Sequence, residues 1–326
     1  MSRFSPAVSV ALTLALAACA TTDAPTSRAA AQEDCDAACL TGLAEAYMAA
    51  VVARDPARLT WSQPVRFTES GVPVTIGEAA WVTVTAYSDA PLIVADPETR
   101  EAVWYGTVED HGQPGWLALR LRAEGRGISE VETWYSRIEE PTPFADPAGF
   151  DAAALSGVVP EDARTARRRM RGLVADYFET RELNDGAIET TFAENCAILE
   201  NGQSLTEGDY WAAEAAQGCA AQYAIGVWGG VDRIRDRRIA AVDVARGLVA
   251  AISTEDHAVR SVTYQTTDGQ TLTEESAYPY SRGKLEIFKI VDGAIVRIEG
   301  VSTFLPYSMP TVWADPEWRN AGRSRR

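Results

Sequence analysis

The chain has 326 residues, 46% of them hydrophobic, and carries 46 acidic against 30 basic side chains for a formal net charge of −16. Such an acidic surface repels phosphate backbones and anionic lipid, which excludes nucleic acid as a partner. The hydrophobic fraction and the length allow one or two ordinary cores.

The chain opens with Met1-Ser2-Arg3-Phe4 and an apolar Ala/Val/Leu run to Ala18, a short basic region followed by a stretch too brief to span a bilayer. It reads as an export leader over residues 1–18. Leu16-Ala17-Ala18-Cys19 resembles a bacterial lipobox, which implies cleavage before Cys19 and a lipid on its thiol. Ala20 rather than Asp after that cysteine implies the periplasmic face of the outer membrane, so the membrane is an expected partner through the lipid alone. Residues 19–34 are small and polar and read as a flexible tether.

The rest of the chain repeats itself. Leu40, Leu43, Ala44, Tyr47, Met48 and Val51 form one helical stripe, and Met170, Leu173, Val174, Tyr177 and Phe178 form the same stripe 130 residues later. The offset places Tyr47 on Tyr177 and Asp55 on Asp185. VRFTESGVPVTIGEAAW (65–81) then lies over CAILENGQSLTEGDYW (196–211), with Glu69 on Glu200 and Trp81 on Trp211. Alternation before each glycine predicts a strand and a tight turn. Each copy closes in an antiparallel meander: EAVWYGTVE, WLALRLRAE and ISEVETW in the first, RRIAAVDV, LVAAIST, LEIFKIV and AIVRIEGV in the second, where an insertion separates the hairpins. Ile128 falls on Ile295 and Glu132 on Glu299. The expected division is a first domain at 35–137, a Pro- and Gly-rich linker at 138–164, a second domain at 165–313 and a tail at 314–326. Helix followed by meander, twice, is an α+β pattern.

Four cysteines remain beside Cys19. Of the three pairings, Cys35 with Cys39 and Cys196 with Cys219 is favoured because each bond then stays within one repeat. No metal site is expected, because Cys-x-x-x-Cys lacks a second pair and the histidines are only His111 and His257.

The order of ESG, GEAAW, ADPE, WLALRLR, ISEVE, ADYFE, ENCAILENG, RDRRIAAVD, EDH, EIFKI and PYSMPTVW resembles a family of secreted fungal and bacterial proteins of the DUF8021 type, whose halves are similar to the SnoaL-like branch of the nuclear transport factor 2 (NTF2) superfamily. The resemblance implies two tandem cone-shaped domains, helices across a curved antiparallel sheet, with a cavity for a small organic ligand. It carries no assigned activity, and fold alone does not supply one.

The second copy holds the denser polar set. Asp243 in an apolar strand and His257 after a strand are the candidate acid/base pair, and Tyr177, Trp211, Arg238 and Glu286 the candidate substrate-binding residues. Against these stand plainer readings: Asp243 preparing the ARG turn, Arg238 at a solvated strand end, the aromatics as core. Trp81, Asp96, Arg120 and Glu132 make the first copy look structural. The absence of GxSxG, P-loop and dinucleotide motifs leaves cofactor-independent isomerase, dehydratase or lyase chemistry, or a non-catalytic envelope module, and no cofactor is expected. A homodimer through exposed sheet faces is the expected assembly.

Overall fold

The computed structural model describes residues 35–138, 140, 142–207 and 218–313, all within the compact unit Glu33–Arg326. Cys19, Trp211 and the tail 314–326 lie outside the described residues.

Helix α1 (Ala37–Ala53) forms where the apolar stripe predicts it and buries Leu40, Ala44, Tyr47, Met48 and Val51. The Asp36 side chain accepts from Cys39 N at 2.9 Å at its start, and Arg54 ends it in the left-handed region at φ 55°. Strands β1 (Trp61–Glu69) and β2 (Val72–Pro73), the short helix α2 (Ala80–Thr83), β3 (Val84–Tyr87), β4 (Leu92–Asp96), β5 (Glu101–Asp110), β6 (Gln113–Glu124) and β7 (Gly127–Arg137) follow. The sheet order is β2-β1-β7-β6-β5-β3, with β4 also on β5. Strand β1 runs parallel to β7. Pattern and turn signals could not show that closure, because a parallel partner is joined by a long crossover rather than a turn.

After α3 (Ala153–Ser156) the same order recurs: α4 (Arg167–Leu183), β8 (Phe192–Glu200), β9 (Gln203–Ser204), α5 (Cys219–Ile225), β10 (Arg233–Asp243), β11 (Leu248–His257), the small hairpin β12 (Thr263–Gln265) and β13 (Thr271–Thr273), β14 (Tyr280–Val291) and β15 (Ala294–Pro306). The sheet order is β10-β11-β14-β15-β8-β9, with β8 parallel to β15. Tyr47 and Tyr177 are each the eleventh residue of a 17-residue helix. Asp55 and Asp185 each accept from the backbone N–H two residues on, at 3.1 and 3.0 Å. The disulfides are Cys35–Cys39 and Cys196–Cys219.

Each helix covers one face of its own sheet with a separate apolar core. The opposite faces cover each other: Leu92, Val94, Val103 and Trp116 of the first half pack with Ala240, Ala250, Leu285 and Val301 of the second in a third core. The faces through which two copies were expected to pair are buried against each other within one chain. The segment read as a linker contributes to that core, Leu155 within it and Phe144 and Phe150 packed against it. No helix among the described residues is long and apolar enough to cross a membrane.

Candidate functional site

Strand pairing gives each interior position of the second half a counterpart in the first. Leu119 pairs with Trp104 and Thr133, while Glu286 pairs with Ala251 and Gly300. One step toward the strand start, Leu117 pairs with Gly106 and Tyr135, while Lys284 pairs with Ser253 and Ser302. On the same ladders Val108 opposes Gly115 and Glu255 opposes Arg282. The helix offset matches Val51 to Arg181. Four buried apolar residues of the first half, Val51, Val108, Leu117 and Leu119, are therefore Arg181, Glu255, Lys284 and Glu286 in the second, and all eight are buried. The exchange of Trp104 and Thr133 for Ala251 and Gly300 makes the room that polar side chains fill.

These charges meet. Arg181 is ion-paired with Glu255 through Nε and donates from Nη2 to Glu255 Oε2 at 3.2 Å. Lys284 Nζ lies 2.7 Å from Glu200 Oε2 and 3.1 Å from Glu255 Oε2, and Arg282 Nη1 donates to Glu200 Oε1 at 2.5 Å. Tyr177 donates its hydroxyl to Glu286 Oε1 at 3.0 Å and accepts from Arg181 at 3.3 Å. Glu286 Oε2 has no hydrogen-bond partner among the described residues.

Two opposite acidities result. Burial pushes the Glu286 carboxyl above the usual carboxylate range, and Lys284 and Arg181 offset this only in part. Burial acts on Glu255 too, but Arg181 and Lys284 outweigh it and hold that carboxyl down to about 2. Glu200 is likewise held low, against its burial, by Arg282 and Lys284. A cluster with one carboxyl raised and its neighbours depressed has a proton donor and fixed anions side by side.

The column along β14 runs from an apolar floor at Phe288 and Ile290 through Glu286, Lys284 and Arg282 to Tyr280. At that end lies a cavity of about 30 Å³, lined by Trp228, Glu255, His257, Tyr264, Glu274, Tyr280 and Arg282 among others. His257 stacks on Tyr280 with ring centroids 4.3 Å apart, and its Nδ1 lies 3.4 Å from Glu274 Oε2 without hydrogen-bond alignment. Neither ring nitrogen has a hydrogen-bond partner among the described residues. A roomier groove of about 530 Å³ lies on the first half, lined by Arg66, Arg100 and Arg122 among others, and shares no residue with this site.

Of the residues singled out in sequence, Tyr177, Glu286 and His257 belong to this arrangement. Asp243 does not. It ends β10 opposite Leu248, whereas His257 closes the other end of β11, nine residues on. At roughly 3.3 Å per residue the two are about 30 Å apart, too far for a shared proton. Asp243 instead accepts from Arg246 N at 3.0 Å and from Arg246 Nε at 2.7 Å, so it shapes the turn, the plainer of its two readings. Arg238 is corrected as well. It faces the first half, where its guanidinium donates to both Glu132 oxygens at 2.9 and 2.6 Å. Trp211 lies outside the described residues. Sequence reasoning missed Arg181, Glu200, Glu255, Glu274 and Lys284. Setting the duplicated strands in register would have shown four of them, or their neighbours, against Val51, Glu69, Val108 and Leu117; Glu274 lies in an insertion and has no counterpart.

By sequence, residues 163–302 match the family described as Domain of unknown function (DUF8021). Among curated proteins none matches the chain. Among solved structures it is similar to a candidate polyketide cyclase from Xanthomonas campestris pv. campestris, at 23% identity over 42% of this chain and 92% of that one, with a TM-score of 0.29. A candidate SnoaL-like polyketide cyclase from Jannaschia sp. CCS1 gives 14% identity over 45% and 91%, TM-score 0.25. A candidate hydroxylase from Streptomyces galilaeus gives 14% over 42% and 81%, TM-score 0.28.

Proposed function

We propose that this is a lipid-anchored envelope protein whose second half binds a small organic ligand and carries out cofactor-independent acid/base chemistry of the isomerase, dehydratase or lyase kind, with the first half as its structural twin. The observation that carries the site is the exchange of Val51, Val108, Leu117 and Leu119 for Arg181, Glu255, Lys284 and Glu286 at equivalent buried positions. The first half keeps the same strand order with leucines and valines, so the fold does not need these charges. Burying them costs several kcal/mol of desolvation per ion, on the order of what good pairing returns, so they are weak evidence for stability and better evidence for a site.

The roles follow from position. His257, at the cavity with both nitrogens unpaired, takes or returns a proton on the ligand. Glu286, raised in pKa and bonded to Tyr177, is the deeper donor, and the Arg181–Glu255–Lys284 cluster fixes the field around it. The repeated helix-and-meander order supports reading both halves as cones of the NTF2-like, SnoaL-like kind. Anchoring through Cys19 at the periplasmic face of the outer membrane is supported by Leu16-Ala17-Ala18-Cys19, and two disulfides suit an oxidising compartment. The rival reading, an interaction module working through its sheet faces, loses the surface it needs.

The test is mass spectrometry of small molecules retained by the purified protein, wild type against the fourfold variant Arg181→Val/Glu255→Val/Lys284→Leu/Glu286→Leu. Compounds held by the wild type and lost by the variant are expected. The same compounds on both proteins, or none on either, would overturn the reading.

A further inference from the structure

The mouth of the second half is built in part from chain that the first half lacks. Strands β5 and β6 are joined by the two-residue turn His111-Gly112, whereas residues 258–279 stand between β11 and β14. That insertion supplies Tyr264, Thr273, Glu274 and Glu275 to the cavity wall. It is anchored rather than splayed: Tyr264 donates to Val227 O at 2.7 Å, and Leu272 belongs to the core of the second half.

Glu274 stands out within it. Its side chain is only 6% exposed, and the sole basic group within ion-pair distance among the described residues is His257, itself 10% exposed. Its side chain's other hydrogen bond comes from the Tyr280 hydroxyl, which donates to Oε2 at 3.3 Å. The other carboxylates nearby are matched, Glu255 by Arg181 and Lys284, and Glu275 by Arg282. A carboxylate this buried is costly unless a cation accompanies it. Beside it are the two unpaired ring nitrogens of His257, one of which accepts a hydrogen bond when the imidazole is neutral while the other carries the N–H.

We propose that this cavity binds the protonated amine of a small organic ligand, with the ammonium between Glu274 and His257 and the attached carbon skeleton leading out through the mouth of the cavity. An ammonium group offers three N–H donors, where Glu274 otherwise accepts only from Tyr280 and the His257 acceptor nitrogen from no group among the described residues, and it supplies the positive charge that Glu274 lacks. A carboxylate or phosphate ligand would instead add an anion beside Glu274, while Arg282 in the same wall is already engaged by Glu200 and Glu275. The cavity, at about 30 Å³, takes little more than such a head group, since one water needs on the order of 10–15 Å³ by the same measure. The inference rests on the second half being a small-molecule site and names the class of ligand that site accepts.

The experiment is calorimetric titration of the full chain at neutral pH with benzylamine, benzyl alcohol and benzoate, which share a ring and differ in charge. Saturable binding of benzylamine alone is expected, weakened at least tenfold in Glu274→Gln, with thermal melting confirming that the variant is folded. His257→Phe keeps a ring to stack on Tyr280 and removes both nitrogens, and it should also weaken the amine. Benzoate binding as tightly as benzylamine, no binding of benzylamine, or an unchanged affinity in Glu274→Gln would overturn the proposal. Retention of a neutral or anionic compound that is lost in the fourfold variant would leave the small-molecule site standing and remove only the amine.

Discussion

Glu286 stands in the second sheet where Leu119 stands in the first, each on the third strand of a four-strand ladder that ends at Glu200 and Glu69 respectively. The backbone frame is the same and the interior chemistry is opposite. A duplicated fold provides its own control: what one copy does without is not required for folding in the other.

The halves are held by matching contacts. Glu132 on β7 reaches Arg238 of the second half, and its counterpart Glu299 on β15 accepts from Tyr105 of the first at 3.4 Å. Glu132 is fully buried, and Arg120 Nη1 at 3.7 Å is its other cation. Arg238→Ala should therefore destabilise the protein by about 3 kcal/mol, the low end of the cost of breaking a buried pair, because Arg120 still compensates in part. Urea unfolding measures this, and ligand retention should be unchanged, since Arg238 faces away from the site.

Acid sensitivity should come from the second half. The Glu255 carboxyl is held down to about 2 in the folded chain, so between the ordinary carboxylate value and that figure the unfolded chain takes up a proton that the folded chain refuses. The stability it contributes is present above the unfolded value and is lost as pH falls toward 2. Glu286, raised by burial, acts in the opposite sense, and its contribution fades as pH rises through its folded value. Glu255→Gln should flatten stability against pH on the acid limb, and Glu286→Gln should flatten it above. An acid limb of unchanged slope in Glu255→Gln would show that other carboxylates control it.

The duplication, the strand order of each meander and both disulfides were legible because they rest on local periodicity, turns and cysteine spacing. Parallel closure of β1 on β7 and of β8 on β15 was not, since it joins segments far apart in sequence. The site was half legible. Tyr177, Glu286 and His257 were visible as polar groups in apolar surroundings, yet pairing His257 with Asp243 failed. Both ends of a hairpin look alike in a strand pattern, and only the register shows that they are one strand length apart. Arg238 was misplaced because a charge on a strand reads the same whether it faces the interior of its own half or, as here, Glu132 of the other.

The Cys196–Cys219 bond ties β8 to α5, spanning 23 residues. Replacing both cysteines by serine should cost about 3 kcal/mol by loop-closure entropy. Denaturant titration of the double variant checks it, and a loss below about 1 kcal/mol would show that the surrounding core holds the segment unaided.

Lipid attachment at Cys19 is checked by metabolic labelling with a clickable fatty acid. Wild type should be labelled and Cys19→Ala should not; equal labelling of both would remove the anchor.

The fourfold variant tests the cost of the buried charges apart from ligand binding. It removes two cations and two carboxylates together, so no charge is stranded within the cluster and Glu200 keeps Arg282, while the buried Tyr177 hydroxyl loses Glu286 and Arg181. Replacing a buried ion-pair network with apolar groups is often neutral or stabilising by about 1–4 kcal/mol. Here Ala251 and Gly300, smaller than Trp104 and Thr133, leave part of the volume unfilled, which works against the gain. The expected result is a net change within about 2 kcal/mol of zero. Lys284→Leu alone should be far worse, losing about 3–5 kcal/mol, because Glu200 and Glu255, with side chains 7% and 1% exposed, both lose a cation. If the fourfold variant unfolds while the single variant is tolerated, the charges are structural, and the second half is specialised for stability rather than for a ligand.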